Sequence, residues 1–267
     1  MHHQIDSLAY TNQLRFLPPE HKLGFAIALF VLSYFAPPYL QLLITLWLVL
    51  WTVGYARISA PVYFKLLAIP ISFWLISLPA LVVGISIGED SVESLTDGVW
   101  GISIDQVYFY LSQQGLAQAR NLFTRALALT SCLYFILLTV PFVEIVRVLR
   151  QLGCPSLLTE LLSLMYRFIF VLSATVSELL SAQQSRLGYR NWQLGLRSLS
   201  LVVVQLLQRT LDNYRQISLG LTSRGFNGEL RVWHTRRYKP SRRYGSEAIG
   251  GYCLLLILVG LHYADGI

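Results

Sequence analysis

Charge is what this chain has least of. Of its 267 residues only 13% are charged, against about 25% in ordinary soluble domains, while 54% are hydrophobic and the mean hydropathy is +0.52. A large soluble core does not account for this, because the apolar residues come in long uncharged runs that suit lipid. Cysteine is scarce as well. Cys132, Cys154 and Cys253 form no CxxC pair, which excludes a disulfide framework or a zinc site and leaves them as reduced packing residues. The five histidines are scattered, and His2-His3 reads as a solvated terminus. The chain has no GxxxxGK[ST] loop, so it offers no P-loop cradle for a nucleotide, and no His/Glu pair at metalloprotease spacing. No cofactor, metal ligand set or catalytic residue is expected. Residues 1–20 lack a short apolar core followed by a small-residue cleavage site, and read as a surface arm, not a signal peptide.

The charge that is present lies in one place. Fifteen of the twenty-one Lys and Arg fall between Pro141 and Gly245, with only Glu144, Glu160, Glu178, Asp212 and Glu229 against them, so this stretch is about +10. Such a block can meet nucleic acid, anionic lipid or an acidic protein. Beside membrane spans it marks the cytoplasmic side, and no nucleic-acid partner is expected. The segment Gly88–Asp105 is the reverse: it carries Glu89, Asp90, Glu93, Asp97 and Asp105 and no Lys or Arg, which puts it outside.

Five spans are predicted at about Leu23–Phe35, Tyr39–Tyr55, Val62–Ile87, Ala119–Val140 and Ala248–Leu261. The first is short, and Pro37-Pro38 turns it into the second. Pro70 and Pro79 interrupt the third. Tyr108–Gln118 reads as an amphipathic helix in the interface. Leu157–Leu180 is apolar enough for a sixth span, but Glu160 and Arg167 interrupt it, and each costs about 2.5–3.5 kcal/mol in lipid. Leu199–Leu207 is too short to cross. Both are read as parts of long helices under the membrane. The expected fold is all-α: a polytopic membrane protein with about five transmembrane helices. Residues 1–140 hold the arm and four spans, 141–245 a cytoplasmic domain, and 246–267 the last span, with the amino terminus inside and the carboxyl terminus outside.

Two short segments stand out in the basic block. Ser185-Arg186-Leu187-Gly188 and Ser223-Arg224-Gly225 each place an Arg at an expected helix C-terminus, with a Gly close behind to close the helix in a left-handed turn. An Arg there is favoured by the helix dipole alone. It is also the side chain best suited to a bidentate contact in an acidic groove. Glu144, Arg147 and Arg150 sit three residues apart on a short helix and read as a solvated face. Trp192 and Trp233 read as interface anchors.

The stretch Thr139-Val140-Pro141-Phe142-Val143-Glu144 through Leu149-Arg150-Gln151-Leu152-Gly153-Cys154-Pro155 resembles the T component of energy-coupling factor transporters, most closely the CbiQ type of cobalt and nickel importers. Tyr166-Arg167-Phe168-Ile169-Phe170, Ala182-Gln183-Gln184-Ser185-Arg186, Arg197-Ser198-Leu199, Ser223-Arg224-Gly225-Phe226-Asn227-Gly228 and the arm Ile5-Asp6-Ser7-Leu8-Ala9-Tyr10-Thr11-Asn12 extend the similarity. The resemblance implies a non-catalytic membrane scaffold of the bacterial plasma membrane. Its partners would be two ABC-type ATPases, a substrate-binding membrane subunit and the bilayer. It also implies that Ser185, Arg186, Leu187 and Ser223, Arg224, Gly225 end two coupling helices, about Leu157–Leu187 and Leu196–Arg224, that dock into the ATPases. Both sites have Ser where the family has Ala, and the first has Leu where it has Gly; Gly188 is expected to end that helix instead. The expected substrate is cobalt, with nickel or a vitamin as alternatives. A membrane-embedded enzyme is the lesser reading, because the basic block has only five scattered acids and His234. A lipid-binding scaffold without ATPases is a third reading.

Overall fold

The computed structural model describes residues 8–87, 98–104, 107–225, 238 and 241–265. Eight helices are named here: α1 (Pro19–Phe35), α2 (Pro38–Val49, prolonged by a π-helical segment Leu50–Tyr55), α3 (Ala60–Val82), α4 (Gln113–Thr139), α5 (Phe142–Gln151), α6 (Ser156–Ser185), α7 (Trp192–Ser223) and α8 (Arg242–Asp265). Three strands, β1 (Val83–Ile87), β2 (Gly98–Ile104) and β3 (Val107–Ser112), join antiparallel with β3 in the middle. The chain divides into two compact units: Met1–Pro141 with Arg237–Ile267, and Phe142–Arg236.

In the first unit proline sets the helix starts. Pro19, Pro38 and Pro61 stand in the first turns of α1, α2 and α3, where the missing N–H leaves no bond unmade. α4 is the helix against which α1, α2 and α3 all pack. Its buried side chains Leu127, Ala128, Ser131, Cys132, Phe135 and Leu138 recur at helical spacing. Between lipid-facing helices apolar burial drives little association, so close packing and interhelical hydrogen bonds carry more of it, at about 0.5–2 kcal/mol per bond. Three such links converge on α4. Thr124 Oγ1 donates to Gln41 Oε1 at 2.7 Å, while Gln41 Nε2 donates to the carbonyls of Ser33 and Ala36 at the end of α1. Tyr134 Oη donates at 3.1 Å to the Leu66 carbonyl, the acceptor that Pro70 four residues later cannot serve. Lys22 Nζ donates at 3.0 Å to the Thr139 carbonyl, and Asn12 Nδ2 reaches the carbonyls of Leu138 and Thr139. Both are buried, so the arm and α1 grip the last turn of α4 just before Pro141 stops it.

Among the described residues five helices are long and apolar enough to cross a membrane: Pro38–Tyr55, Ala60–Val82, Gln113–Thr139, Ser156–Ser185 and Arg242–His262. The number agrees with the sequence reading, but the membership does not. α1, the expected first span, has 17 residues and is not among them, whereas α6 is. A helix of 17 residues rises about 25 Å, short of a core of about 30 Å. The third span stops at Val82, because Val83–Ile87 turns into strand β1. The expected interfacial helix at Tyr108–Gln118 is also corrected. Its first part is β3, whose run of valine, aromatic and leucine residues pairs on both sides, and α4 starts at Gln113 with the Ser112 hydroxyl accepting from the Gly115 N–H. Most of Gly88–Asp105 lies outside the described residues, as does Trp233.

In the second unit α5 lies against α6, with the Phe142 and Tyr166 rings stacked at 4.6 Å and Phe170 edge-on to Tyr166 at 5.0 Å. Gly153 at φ 92° ends α5, and Pro155 precedes α6. α6 and α7 pack together in turn. Leu199–Leu207 falls inside α7, which is 32 residues long.

Candidate functional site

The two Ser-Arg segments end their helices with the same backbone. Arg186 is the C-cap of α6 at φ −94°, ψ 15°, and Arg224 the C-cap of α7 at φ −95°, ψ 10°. The next residue enters the left-handed region in both: Leu187 at φ 55°, Gly225 at φ 70°. At α6 the Leu187 N–H bonds the Gln184 carbonyl at 3.0 Å and the Gly188 N–H bonds the Gln183 carbonyl at 2.9 Å, the paired bonds of a Schellman end. At α7 the Gly225 N–H bonds the Thr222 carbonyl at 3.1 Å. The expectation that Gly188 would take the left-handed position at α6 is therefore corrected; Leu187 takes it. Gly188 is constrained by close approach, since a Cβ there would overlap the Ser198 hydroxyl and crowd the Gln183 carbonyl. Ser198 Oγ donates to the Gly188 carbonyl at 2.9 Å, tying the start of α7 to the end of α6.

All six candidate residues are exposed. The serines bond back to their own helices, Ser185 Oγ to the Ser181 carbonyl at 2.9 Å and Ser223 Oγ to the Gly220 carbonyl at 3.0 Å. That leaves the guanidinium as the outward polar group at each end. Among the described residues neither Arg186 nor Arg224 makes an ion pair or side-chain hydrogen bond. The two are not brought together. α7 alone, at 1.5 Å per residue, separates its own ends by about 46 Å, and Arg224 stands at the far one. The second segment continues into Phe226-Asn227-Gly228, outside the described residues.

Much of the rest of α6 and α7 is exposed. Only 6% of the most apolar part of α6 is buried, against 44% for α4. Leu157, Leu161, Met165 and Ile169 form an exposed stripe at four-residue spacing on α6. Glu178 and Arg209 link the two helices at 3.5 Å, an exposed pair of small worth. Glu144 and Arg147 are not the solvated face the sequence suggests, since Glu144 is buried and Arg147 half-buried. Trp192, by contrast, is 82% exposed at the start of α7. Among the described residues no group of three or more His, Cys, Asp or Glu could hold a metal ion, and Cys132, Cys154 and Cys253 are free thiols.

Residues 11–233 match the family CbiQ, cobalt transport protein. The chain belongs to the CbiQ family. It is 31% identical to the cobalt transport protein CbiQ of Rhodobacter capsulatus, with 87% of this chain and 88% of that one covered. To CbiQ of Salmonella typhimurium it is 27% identical, over 85% and 99% of the two chains. It is also 28% identical to a protein of Methanocorpusculum labreanum named as a fused cobalt transport protein CbiMQ, where 85% of this chain covers 37% of that one. With its apolar helices, this makes the chain a multi-pass membrane component of cobalt transport. The CbiQ match runs from Thr11 through both Ser-Arg segments.

Proposed function

We propose that this CbiQ-family chain is the transmembrane coupling subunit of an ATP-driven, energy-coupling-factor importer of cobalt. It is not itself an enzyme. The observation that carries the reading is the pair of matching helix ends, each presenting an exposed arginine with no ion pair among the described residues, at the tips of the two longest helices. Each arginine enters an acidic groove on one of two ABC-type ATPases. Closure of the ATPases moves α6 and α7, and their exposed apolar surfaces transmit the movement to a substrate-binding membrane subunit. The fused CbiMQ relative supports a membrane partner of the CbiM kind. Basic residues are dense where the coupling unit begins and ends, which supports its cytoplasmic placement.

Truncating one partner of a buried interfacial charge pair costs roughly 2–5 kcal/mol. Arg186→Ala or Arg224→Ala should therefore weaken ATPase association tenfold to a thousandfold or more, and the double variant should lose cobalt uptake. Arg→Lys should rescue in part only, since the charge stays but the planar fork is lost. Membrane insertion should be normal. Co-purification of the ATPases with each variant, alongside uptake, is the test. Full retention and full uptake by the double Ala variant would make these plain helix-end residues.

A further inference from the structure

We propose that the cleft between α5 and α6 binds the phosphate headgroup of an anionic phospholipid. The cleft has a volume of about 510 Å³. Arg147, Arg150 and Gln151 line it from α5, at three- and four-residue spacing that puts them on one face. Glu160, Ser163 and Arg167 line it from α6, again one turn apart. Three arginines thus line the cleft together with one glutamate. Arg150 and Arg167 are exposed, and among the described residues they make no ion pair with Glu160 or with any other acid. Arg150 and Arg167, two cations that line one cleft with no ion pair of their own, are better satisfied when an anion enters.

The chemistry of the lining selects the anion. Arginine binds phosphate oxygens through its planar fork, and Ser163 and Gln151 add neutral donors. Beside the charges lie Val143, Val146 and Leu164, an apolar lining that a free phosphate has no use for and the glycerol backbone of a lipid does. The source is close at hand along the chain. The span α4 ends at Thr139, and only Val140 and Pro141 separate it from α5 in the chain, so the cleft is tethered by two residues to a membrane-crossing helix. Anionic headgroups are the concentrated phosphates there. The proposal does not depend on the coupling reading, because neither Arg186 nor Arg224 takes part.

The test uses the purified full chain in neutral detergent, delipidated and titrated with phosphatidylglycerol or phosphatidylcholine. Bound lipid is counted by intact-complex mass spectrometry. Wild type should retain phosphatidylglycerol at least tenfold over phosphatidylcholine. Arg150→Gln/Arg167→Gln should bring that preference to within about twofold. Arg209→Gln/Arg215→Gln, which removes the same charge from α7, should leave it intact. Glu160→Gln should strengthen retention severalfold, a gain that misfolding cannot produce. Inorganic phosphate at millimolar concentration should displace little of the lipid. The proposal is overturned if wild type shows no preference, if the α7 control loses as much as the cleft variant, if Glu160→Gln does not gain, or if inorganic phosphate displaces the lipid fully, which would make the ligand a free phosphate.

Discussion

Leu187 holds at the end of α6 the left-handed position that Gly225 holds at the end of α7. For a residue with a Cβ this conformation costs roughly 1–2 kcal/mol, and with 69% of its surface exposed Leu187 gains little packing in return. An unrepaid strain of this kind points to a use for the side chain outside the chain. Leu187→Gly should therefore raise the thermal midpoint of the purified protein, by up to about 1 kcal/mol in stability, while lowering ATPase retention. Leu187→Asn, which tolerates the left-handed backbone better than Leu, should lower retention with only part of the stability gain. A Leu187→Gly variant that retains the ATPases fully would remove Leu187 from the docking surface. Gly188→Ala is expected to behave oppositely. Its Cβ runs into Ser198, so stability falls by about 1–3 kcal/mol, and Ser198→Ala in the same chain should recover part of the loss. The two Arg positions and the helix ends were legible in the sequence as a small residue, Arg and a nearby Gly. Which residue turns left-handed was not. Gly is the default there, and the contact that holds Gly188 in place comes from Ser198 on the next helix.

Among the elements, α4 collects the polar links that bind the first unit. The grip of Lys22 and Asn12 on its last carbonyls is where the arm meets the joint to α5. Lys22→Met keeps most of the apolar stem and removes the donor, leaving the Thr139 carbonyl short of a partner in a buried place. This should cost about 1–3 kcal/mol, and Asn12→Ala a comparable amount, because Asn12 bonds that carbonyl only at 3.4 Å but also donates to the carbonyls of Leu138 at 3.2 Å and Ala9 at 2.8 Å. The two share an acceptor, so their effects should not add. Thermal unfolding of the single and double variants checks this; an unchanged midpoint in the double variant would show that the grip holds nothing. The helices themselves were readable from apolar runs and proline. Pro70 announced a missing bond, although the sequence could not say that Tyr134 repairs it from another helix. The sheet was not readable. Val107–Ser112 pairs with two strands that both precede it in the chain, one next to it and one further upstream, and nothing in its own pattern fixes that pairing.

For the whole molecule, the open balance is between α1 and α6. By length and composition α6 qualifies as a span and α1 does not, yet the charges on the two helices argue the other way. α1 holds Lys22 near its start, bonded to a carbonyl of α4, and residues 23–35 carry no Asp, Glu, Lys or Arg, so it brings no charge to a span centre. α6 carries Glu160 and Arg167 into a cleft with two further arginines, and each charge at a span centre would cost about 2.5–3.5 kcal/mol. The two topologies differ in the side of the membrane on which α6 ends. If α6 lies under the membrane, the loop from Arg186 to Asn191 is cytoplasmic. If α6 spans, that loop is outside, and Arg186 is on the wrong side to meet an ATPase. With the native cysteines replaced, cysteine at exposed Leu116, near the start of α4, should react with an impermeant maleimide in intact cells. Cysteine at Arg190 should react only after the membrane is permeabilised. Ile169→Cys, on the exposed stripe of α6, should follow Arg190 and not Leu116. Labelling of Arg190→Cys from outside would place α6 across the bilayer and would remove Arg186 from coupling, whatever its helix end looks like. Labelling from inside at both Arg190→Cys and Ile169→Cys would leave the two arginines on one face of the membrane, where closure of paired ATPases can act on both helix tips at once.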